Sequence, residues 1–272
     1  FGLDVGAPLV EHRHVDKIAF TGSDISGQKI YQAAAKKIMP VTLELGGKSP
    51  NVVFGDCDVD MVVKAVQNAI YYNKGEVCTA GSRLLVEESI YGEVIEKLAA
   101  RAAKMSHGDP IDPDTRLGPQ VSKAQLDSVL DYVESGKKDG AKLVAGGERA
   151  GDKGYFVKPT VFADVDTKAK IFQDEIFGPV LAAASFKDFD DLISKANDSI
   201  YGLASAAWTK DINKALGFAK AVKAGTCWIN TYGLFDSAVP FGGCKMSGIG
   251  RDNGMAALEG YLQSKSVWVA MG

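Results

Sequence analysis

Short apolar runs of strand character alternate with helical stripes along most of this chain, and no other feature of the sequence narrows the fold so far. Lys17 to Phe20 (KIAF) is a short apolar run, TGSDISG supplies a turn, and ISGQKIYQAAAKK, rich in Ala and Lys, reads as a helix. VTLEL (Val41 to Leu45) and PNVVF (Pro50 to Phe54) read as strands separated by Gly46 and Gly47. Val59, Val62, Val63, Val66 and Ile70 then fall at i, i+3, i+4, i+7 and i+11, the stripe of an amphipathic helix with Asp56 or Asp58 as its N-cap. That helix runs out near Asn73. RLLVEES is a strand from Arg83, and Tyr91, Val94, Ile95, Leu98 and Ala102 mark another helix, with Glu93 and Lys97 paired at i, i+4. The GDPIDPDTRLGP segment is a loop by its Pro, Gly and Asp content. Beyond it the pattern predicts helices near 123–138, 189–197 and 212–223, and strands near 142–145, 157–162, 180–186, 204–208 and 226–230. Strand and helix in steady alternation predict an α/β fold with a largely parallel sheet flanked by helices.

Composition removes several classes of function. The chain has 272 residues, 46% hydrophobic and 24% charged, which suits a globular protein on the margin between one large domain and two. A net charge of -3 with both signs interspersed offers no basic face to nucleic acid, and no run of about 18 apolar residues offers a membrane span. The N-terminal segment has no secretory signal pattern. Cys57, Cys78, Cys227 and Cys244 lie far apart without a CxxC pair, so neither a zinc site nor a disulfide framework is predicted. Reduced thiols in a cytoplasmic setting, and small molecules or further copies of the chain as partners, are the expectation.

Cys78 is the residue that invites chemistry. It follows a helix and is flanked by Val77, Thr79, Ala80 and Gly81, small neighbours that leave room for a substrate to reach sulfur. The plain alternative is a buried free cysteine. A helix end can also lower a thiol pKa. Glu44 is the second oddity, because it lies in the apolar strand VTLEL just before Gly46 and Gly47. Burying a glutamate is costly unless it is paired or its pKa rises, and a carboxylate so raised can serve as a general base. A strand-end salt bridge is its structural alternative. His12, His14 and His107 lie in polar or loop stretches, and nothing in their spacing favours a Cys-His pair.

These residues carry a resemblance. VTLELGGKSPNVVF, then GEVCTAGSR with its cysteine 34 residues after Glu44, then EIFGPV, then PFGGCKMSGIGRDNG, occur in the order found in the aldehyde dehydrogenase superfamily. The chain resembles that superfamily over essentially its whole length, and most nearly its broad-specificity, aminoaldehyde-oxidising branch. Two departures stand out: Glu76 where the family more often has Gln, and Gln263 where many relatives carry Glu. The resemblance implies Cys78 as nucleophile and Glu44 as general base. A thiolate adding to an aldehyde would make a thiohemiacetal that yields hydride to a nicotinamide, and the remaining thioester would be hydrolysed by water that Glu44 activates. The Cys78 backbone N–H would serve as one oxyanion donor.

For the cofactor, NAD or NADP, the resemblance assigns Gly22 and Ser23 to the pyrophosphate region, Glu175 to the nicotinamide ribose with Phe177 as its packing neighbour, and Leu45 and Leu203 to the nicotinamide. Read without it, these are a turn, a surface Glu and two core leucines. Asn230 and Phe241 resemble residues lining the aldehyde tunnel, against the plainer readings of a turn Asn and a core Phe. SVWVAM near the C-terminus is a continuous apolar run. The family places a bridging strand there, so a homodimer or homotetramer is implied. The family chain is also longer on the N-terminal side, which implies that an oxyanion-hole Asn and the adenosine-ribose contact lie upstream of Phe1. On this reading residues 1–46 end a Rossmann-like coenzyme domain, 47–246 form the catalytic domain and 247–272 a returning tail. A Cys-dependent hydrolase, and a non-catalytic oligomerising remnant, are the competing functions.

Overall fold

The computed structural model describes residues 2–272. A π-helical turn, Gly2–Gly6, and a short helix α1 (Ala7–Glu11) lead to β1 (Ile18–Thr21), α2 (Asp24–Ala35) and β2 (Val41–Glu44). There follow β3 (Pro50–Val53), α3 (Val59–Tyr71), β4 (Arg83–Glu87), α4 (Tyr91–Ala102), α5 (Lys123–Lys138), β5 (Lys142–Ala145) and β6 (Thr160–Ala163). The chain continues through α6 (Lys170–Gln173), β7 (Val180–Phe186), α7 (Phe189–Asn197), β8 (Ala204–Trp208), α8 (Ile212–Ala221) and β9 (Thr226–Ile229), and ends with β10 (Gly248–Ile249) and α9 (Gly254–Glu259).

Capping explains several helix starts. Ser23, Asp58, Ser122, Asp188 and Asp211 each accept a backbone N–H of the first turn they precede, filling donors that a helix leaves open. Of the two aspartates offered for α3, Asp58 is the cap. Asp56 instead takes the Thr209 hydroxyl at 2.7 Å and the Lys210 and Asp211 N–H groups, tying the end of β3 to the end of β8.

Seven strands form one sheet in the order β5-β6-β7-β4-β3-β8-β9, parallel throughout except where β5 runs antiparallel to β6. Period-two alternation places Val52, Leu85, Ala182, Ala184 and Phe186 on one face and Val53, Leu84, Val86, Leu181 and Ala183 on the other. Both faces are therefore apolar, as a sheet covered on two sides requires. The first face takes Leu126, Val129 and Val133 of α5, Leu192 of α7 and Phe218 of α8. The second takes the predicted stripe of α3, with Val94, Ile95 and Leu98 of α4.

A separate three-stranded sheet pairs β1 parallel with β2 and β2 antiparallel with β10. The return strand β10 was not foreseen, having only two residues and no alternation to read. Gly248 makes it feasible, since with φ of 147° it passes so near the Leu43 carbonyl that a Cβ would sit 2.0 Å away. The short helices α1, α6 and α9 were likewise unforeseen. The predicted strand over residues 157–162 begins only at Thr160, after Val157 makes an isolated bridge to Arg149. Residues 263–272 form no strand within this chain, and Val267, Trp268 and Val269 are 75%, 94% and 74% exposed. No helix among the described residues is long and apolar enough to cross a membrane.

Gly22 and Glu44 lie at the C-terminal edge of the small sheet, whereas Gly47, Cys78, Glu175 and Leu203 all precede strands of the large one.

Candidate active site

Helix α3 delivers the cysteine by an unusual exit. After Tyr71 the chain turns through Asn73 (φ 47°), Lys74 (φ 53°) and Gly75 (φ 81°), three consecutive left-handed residues. Gly75 has no substitute, because a Cβ there would fall 2.2 Å from the Gly178 carbonyl oxygen. Asn73 Nδ2 donates to the Glu76 carbonyl at 2.9 Å, which steadies the strained turn. Glu76, one of the two departures from the family pattern, is buried. Its carboxylate accepts from the Val121 N–H at 2.9 Å and pairs with Lys74 at 3.3 Å, tying the turn to the loop before α5.

Cys78 is half-buried, its sulfur facing its own N–H and that of Thr79. Burial pushes the thiol above its ordinary range, and Glu175 and Glu44 add to the rise. The expected lowering at a helix end is therefore reversed. α3 presents its C-terminal, carbonyl-bearing end to this loop, the wrong polarity for a thiolate, and burial together with the two carboxylates outweighs the two backbone donors.

Glu44 is 8% exposed, and its Oε2 has no hydrogen-bond partner. Burial and then Asp252 raise its carboxyl to about 7, against the pull of Arg251. No strand-end salt bridge to Glu44 forms among the described residues: Arg251 Nη1 donates to the Gly243 carbonyl at 2.8 Å and to the Gly250 carbonyl at 2.7 Å. Glu175 is raised to about 7 as well, chiefly by burial, though its Oε1 accepts from the Gly47 N–H at 3.1 Å. Gly46 leaves space for that carboxylate, since a Cβ would meet Oε2 at 2.1 Å. Behind the Gly46-Gly47 pair lies Lys48, a residue the sequence reading passed over. It is 1% exposed with no partner for Nζ, and burial next to Arg83 lowers it to about 7 despite Glu175 and Asp174.

The remaining expected cofactor residues are spread over the same cleft. Gly22 donates its N–H to the Glu44 carbonyl at 3.1 Å, and Ser23 caps α2 through the Ser26 N–H at 3.2 Å. Leu45 packs on Gly27 of α2, and Leu203 on Gly47. Phe177 is 39% exposed and left-handed at φ 54°, its carbonyl accepting from Gln125 Nε2 at 2.8 Å. Gln125 thus holds the EIFGPV turn, a cross-chain contact that sequence spacing does not reveal. A dinucleotide fits what is here: the start of α2 is exposed, as a pyrophosphate would need, and Glu175 keeps Oε2 outside the bond to Gly47, where it could accept from a sugar hydroxyl.

A cavity of about 550 Å³ runs along α3 from Met61 to Tyr72 and is walled by Val77 and Thr79 on either side of the cysteine. Asn230 lines it, and both ends of its amide are hydrogen-bonded. Oδ1 accepts from the Thr209 N–H at 3.0 Å and Nδ2 donates to the Thr209 carbonyl at 2.9 Å, so Asn230 shapes the wall. Phe241 stands one ring back, edge-on to the lining Phe235 at 5.3 Å. Tyr232, not singled out from the sequence, lines the cavity and donates its hydroxyl to the Thr79 carbonyl at 2.6 Å. The histidines lie elsewhere: His12 and His14 stack beyond α1, and His107 packs on Phe156. Among the described residues no group of three or more His, Cys, Asp or Glu could hold a metal ion.

Comparison with known proteins places this arrangement. The fold class is that of aldehyde dehydrogenases: a Bacillus cereus aldehyde dehydrogenase solved as its NAD+ complex superposes with a TM-score of 0.97 at 47% identity, over 100% of this chain and 55% of that one. A betaine aldehyde dehydrogenase from Staphylococcus aureus in complex with NAD+ superposes at 0.95 with 40% identity, over 97% of this chain and 53% of its own. The model of the aldehyde dehydrogenase family matches residues 1–267, and the chain belongs to that family. An aldehyde dehydrogenase of Davidiella tassiana is 50% identical over 100% of this chain. The chain spans about half the length of the relatives it matches, 55% in that case.

Proposed function

We propose that the protein of which this chain forms part oxidises aldehydes to carboxylic acids, with Cys78 as nucleophile and Glu44 as general base. The observation that carries the reading is a half-buried cysteine beside two carboxylates whose pKa values burial raises to about 7, brought together across a glycine pair whose missing side chains let the Glu175 carboxylate and the Cys78 carbonyl approach. The Cys78 thiol gives its proton to solvent water as its sulfur adds to the aldehyde carbon, and the Cys78 N–H stabilises the oxyanion of the thiohemiacetal. NAD or NADP, when bound, accepts the hydride released as that adduct becomes a thioester. Glu44 takes a proton from water, the hydroxide cleaves the thioester, and the acid and free thiol result. A carboxyl near 7 suits this step, because a base poised at the working pH is both ionised and basic enough to act.

Glu175 would hold the nicotinamide ribose, with Gly22 and Ser23 at the pyrophosphate and Leu45, Leu203 and Phe177 about the nicotinamide. Asn230 and Phe241 would shape the aldehyde tunnel. The two-sheet layout supports a division into residues 1–46, 47–246 and 247–272, the tail returning through β10 to the small sheet. The exposed run near Val267 supports a homodimer or homotetramer through strand pairing, and free cysteines support a reducing, cytoplasmic setting.

The cavity walls bear on the aldehyde. Lys64 is the charged residue lining the cavity beside Cys78, and Arg101, Lys104 and Arg116 line an adjoining basin of about 820 Å³ that shares Asn68 and Tyr72 with it. No carboxylate lines either. This favours a neutral or anionic aldehyde over the aminoaldehydes of the branch the sequence most resembles.

Acid-quenched incubation with a short aliphatic aldehyde and NAD tests the reaction. An acyl group on Cys78, seen by peptide mass mapping, is expected. Cys78→Ala should abolish both the adduct and NADH formation; NADH formed at an undiminished rate by that variant refutes the assignment.

A further inference from the structure

Residues 77–81 form a tight turn, closed by the Ala80 N–H donating to the Val77 carbonyl at 3.0 Å and tied to α3 by the Gly81 N–H donating to the Ala69 carbonyl at 3.0 Å. Among the described residues one side chain from outside the turn hydrogen-bonds to its backbone: the Tyr232 hydroxyl, donating to the Thr79 carbonyl at 2.6 Å. There is little slack on that side. A Cβ on Gly81 would lie 3.2 Å from the Tyr232 hydroxyl, from Asn51 Nδ2 and from the Ala69 methyl.

Tyr232 is itself firmly held. Its ring lies 4.8 Å from that of Trp228, whose Nε1 donates to the Leu234 carbonyl at 3.0 Å. Two residues earlier Asn230 clasps Thr209 through both of its amide groups. The phenol thus projects from a braced segment onto the residue next to Cys78. Thr79 also carries one of the two N–H groups that face the Cys78 sulfur. Its carbonyl shares a peptide plane with the Ala80 N–H, so the phenol orients the peptide that closes the turn on Val77 and thereby encloses the Thr79 N–H.

We propose that Tyr232 is a positioning residue for the reactive thiol, its hydroxyl holding the Thr79 carbonyl so that the Thr79 N–H stays aimed at Cys78 sulfur. Without that donor the turn loosens and the thiolate loses a hydrogen bond. The proposal rests on Cys78 as the reactive thiol. The charged or titratable groups facing Cys78 are the Glu175 and Glu44 carboxylates and the Tyr232 phenol. Only the last is altered by the test.

The measurement is the pH profile of Cys78 alkylation by iodoacetamide, followed by peptide mass mapping, in the wild type, Tyr232→Phe and Phe235→Leu. Tyr232→Phe should raise the midpoint and slow alkylation at neutral pH about threefold to tenfold, the change that one net hydrogen bond makes in an equilibrium. Phe235→Leu disturbs the same aromatic cluster, 5.6 Å from Trp228, and should lower thermal stability while leaving the midpoint in place. Site-specific 3-fluorotyrosine at position 232 keeps the shape and strengthens the donor, so the midpoint should fall; this arm decides alone if Tyr232→Phe does not fold. A midpoint unmoved by either change at Tyr232, or moved equally by Phe235→Leu, overturns the positioning role. A wild-type Cys78 that takes up no acyl group from aldehyde and NAD overturns it together with the reading of Cys78 as nucleophile.

Discussion

Replacing Glu44 by Gln tests the electrostatics of the site apart from its catalysis. The side chain is 8% exposed, its Oε2 lacks a partner, and its carboxyl is raised from an ordinary 4.5 to about 7, by burial first and by Asp252 second. A raised carboxyl binds its proton more tightly in the folded chain than in the unfolded one. The sign follows: this contribution to stability is full below about pH 4.5 and is lost as the pH rises through about 7. Each tenfold difference in proton affinity is about 1.4 kcal/mol, so ionising Glu44 in place costs the fold about 3 kcal/mol by pH 8. Gln has nearly the same volume and no charge to desolvate. Between pH 5 and pH 8 the Glu44→Gln protein should therefore gain about 2 to 3 kcal/mol relative to wild type. Urea unfolding at the two pH values, with equal m-values as a check on the denatured state, reads that difference directly. Glu175 titrates over the same window, but it is present in both proteins and cancels. Parallel pH dependence of the two stabilities would refute the claim that Glu44 is held near 7 by burial.

The same substitution should leave a rapid-mix burst of NADH intact while depressing the steady state by about 10² to 10⁴, the usual contribution of a general base; loss of the burst with folding intact would contradict the division of labour between Cys78 and Glu44. Val267→Asp with Val269→Asp, placing two charges in the exposed apolar run, should shift the mass seen by light scattering toward monomer, and an unchanged mass would show that the run carries no subunit contact. An aldehyde with a distal carboxylate should show a higher kcat/KM than one of equal length with a distal ammonium, and Lys64→Glu should narrow that ratio by about tenfold; a ratio indifferent to residue 64 would remove the cavity's charge from the account.

The parts of the fold that the sequence made legible are those where one local rule acts alone. α5, β5, β7, α7 and β8 fall within the bounds the sequence predicts: the two helices bury an apolar stripe on the large sheet, and the three strands lie within it. β10 and α6, of two and four residues, are shorter than the periods that would reveal them. The run around Val267 is legible as apolar, yet Val267 stays 75% exposed and the run pairs with no strand among the described residues.

Site chemistry divides along a different line. Cys78 and Glu44 announce themselves because each sits among residues that its own side chain does not suit, a thiol among small residues and a carboxylate in an apolar strand, whereas Glu175 is legible only through the family resemblance. Residues that act through a partner distant in sequence leave no such mark. Tyr232 meets Thr79 across 153 positions, and Asp252 comes to Glu44 only because β10 returns beside β2. The thiol's shift marks the same boundary. Proximity to a helix end was readable, but the sign required knowing that the C-terminal end of α3 and two carboxylates surround the sulfur. A resting thiol held neutral in this way is chemically consistent with a site that must bind an anion-bearing cofactor before it reacts. Reactivity would then be drawn from substrate binding and from the N–H groups of Cys78 and Thr79, which makes the geometry of the 77–81 turn, and the phenol that fixes it, as consequential as the cysteine itself.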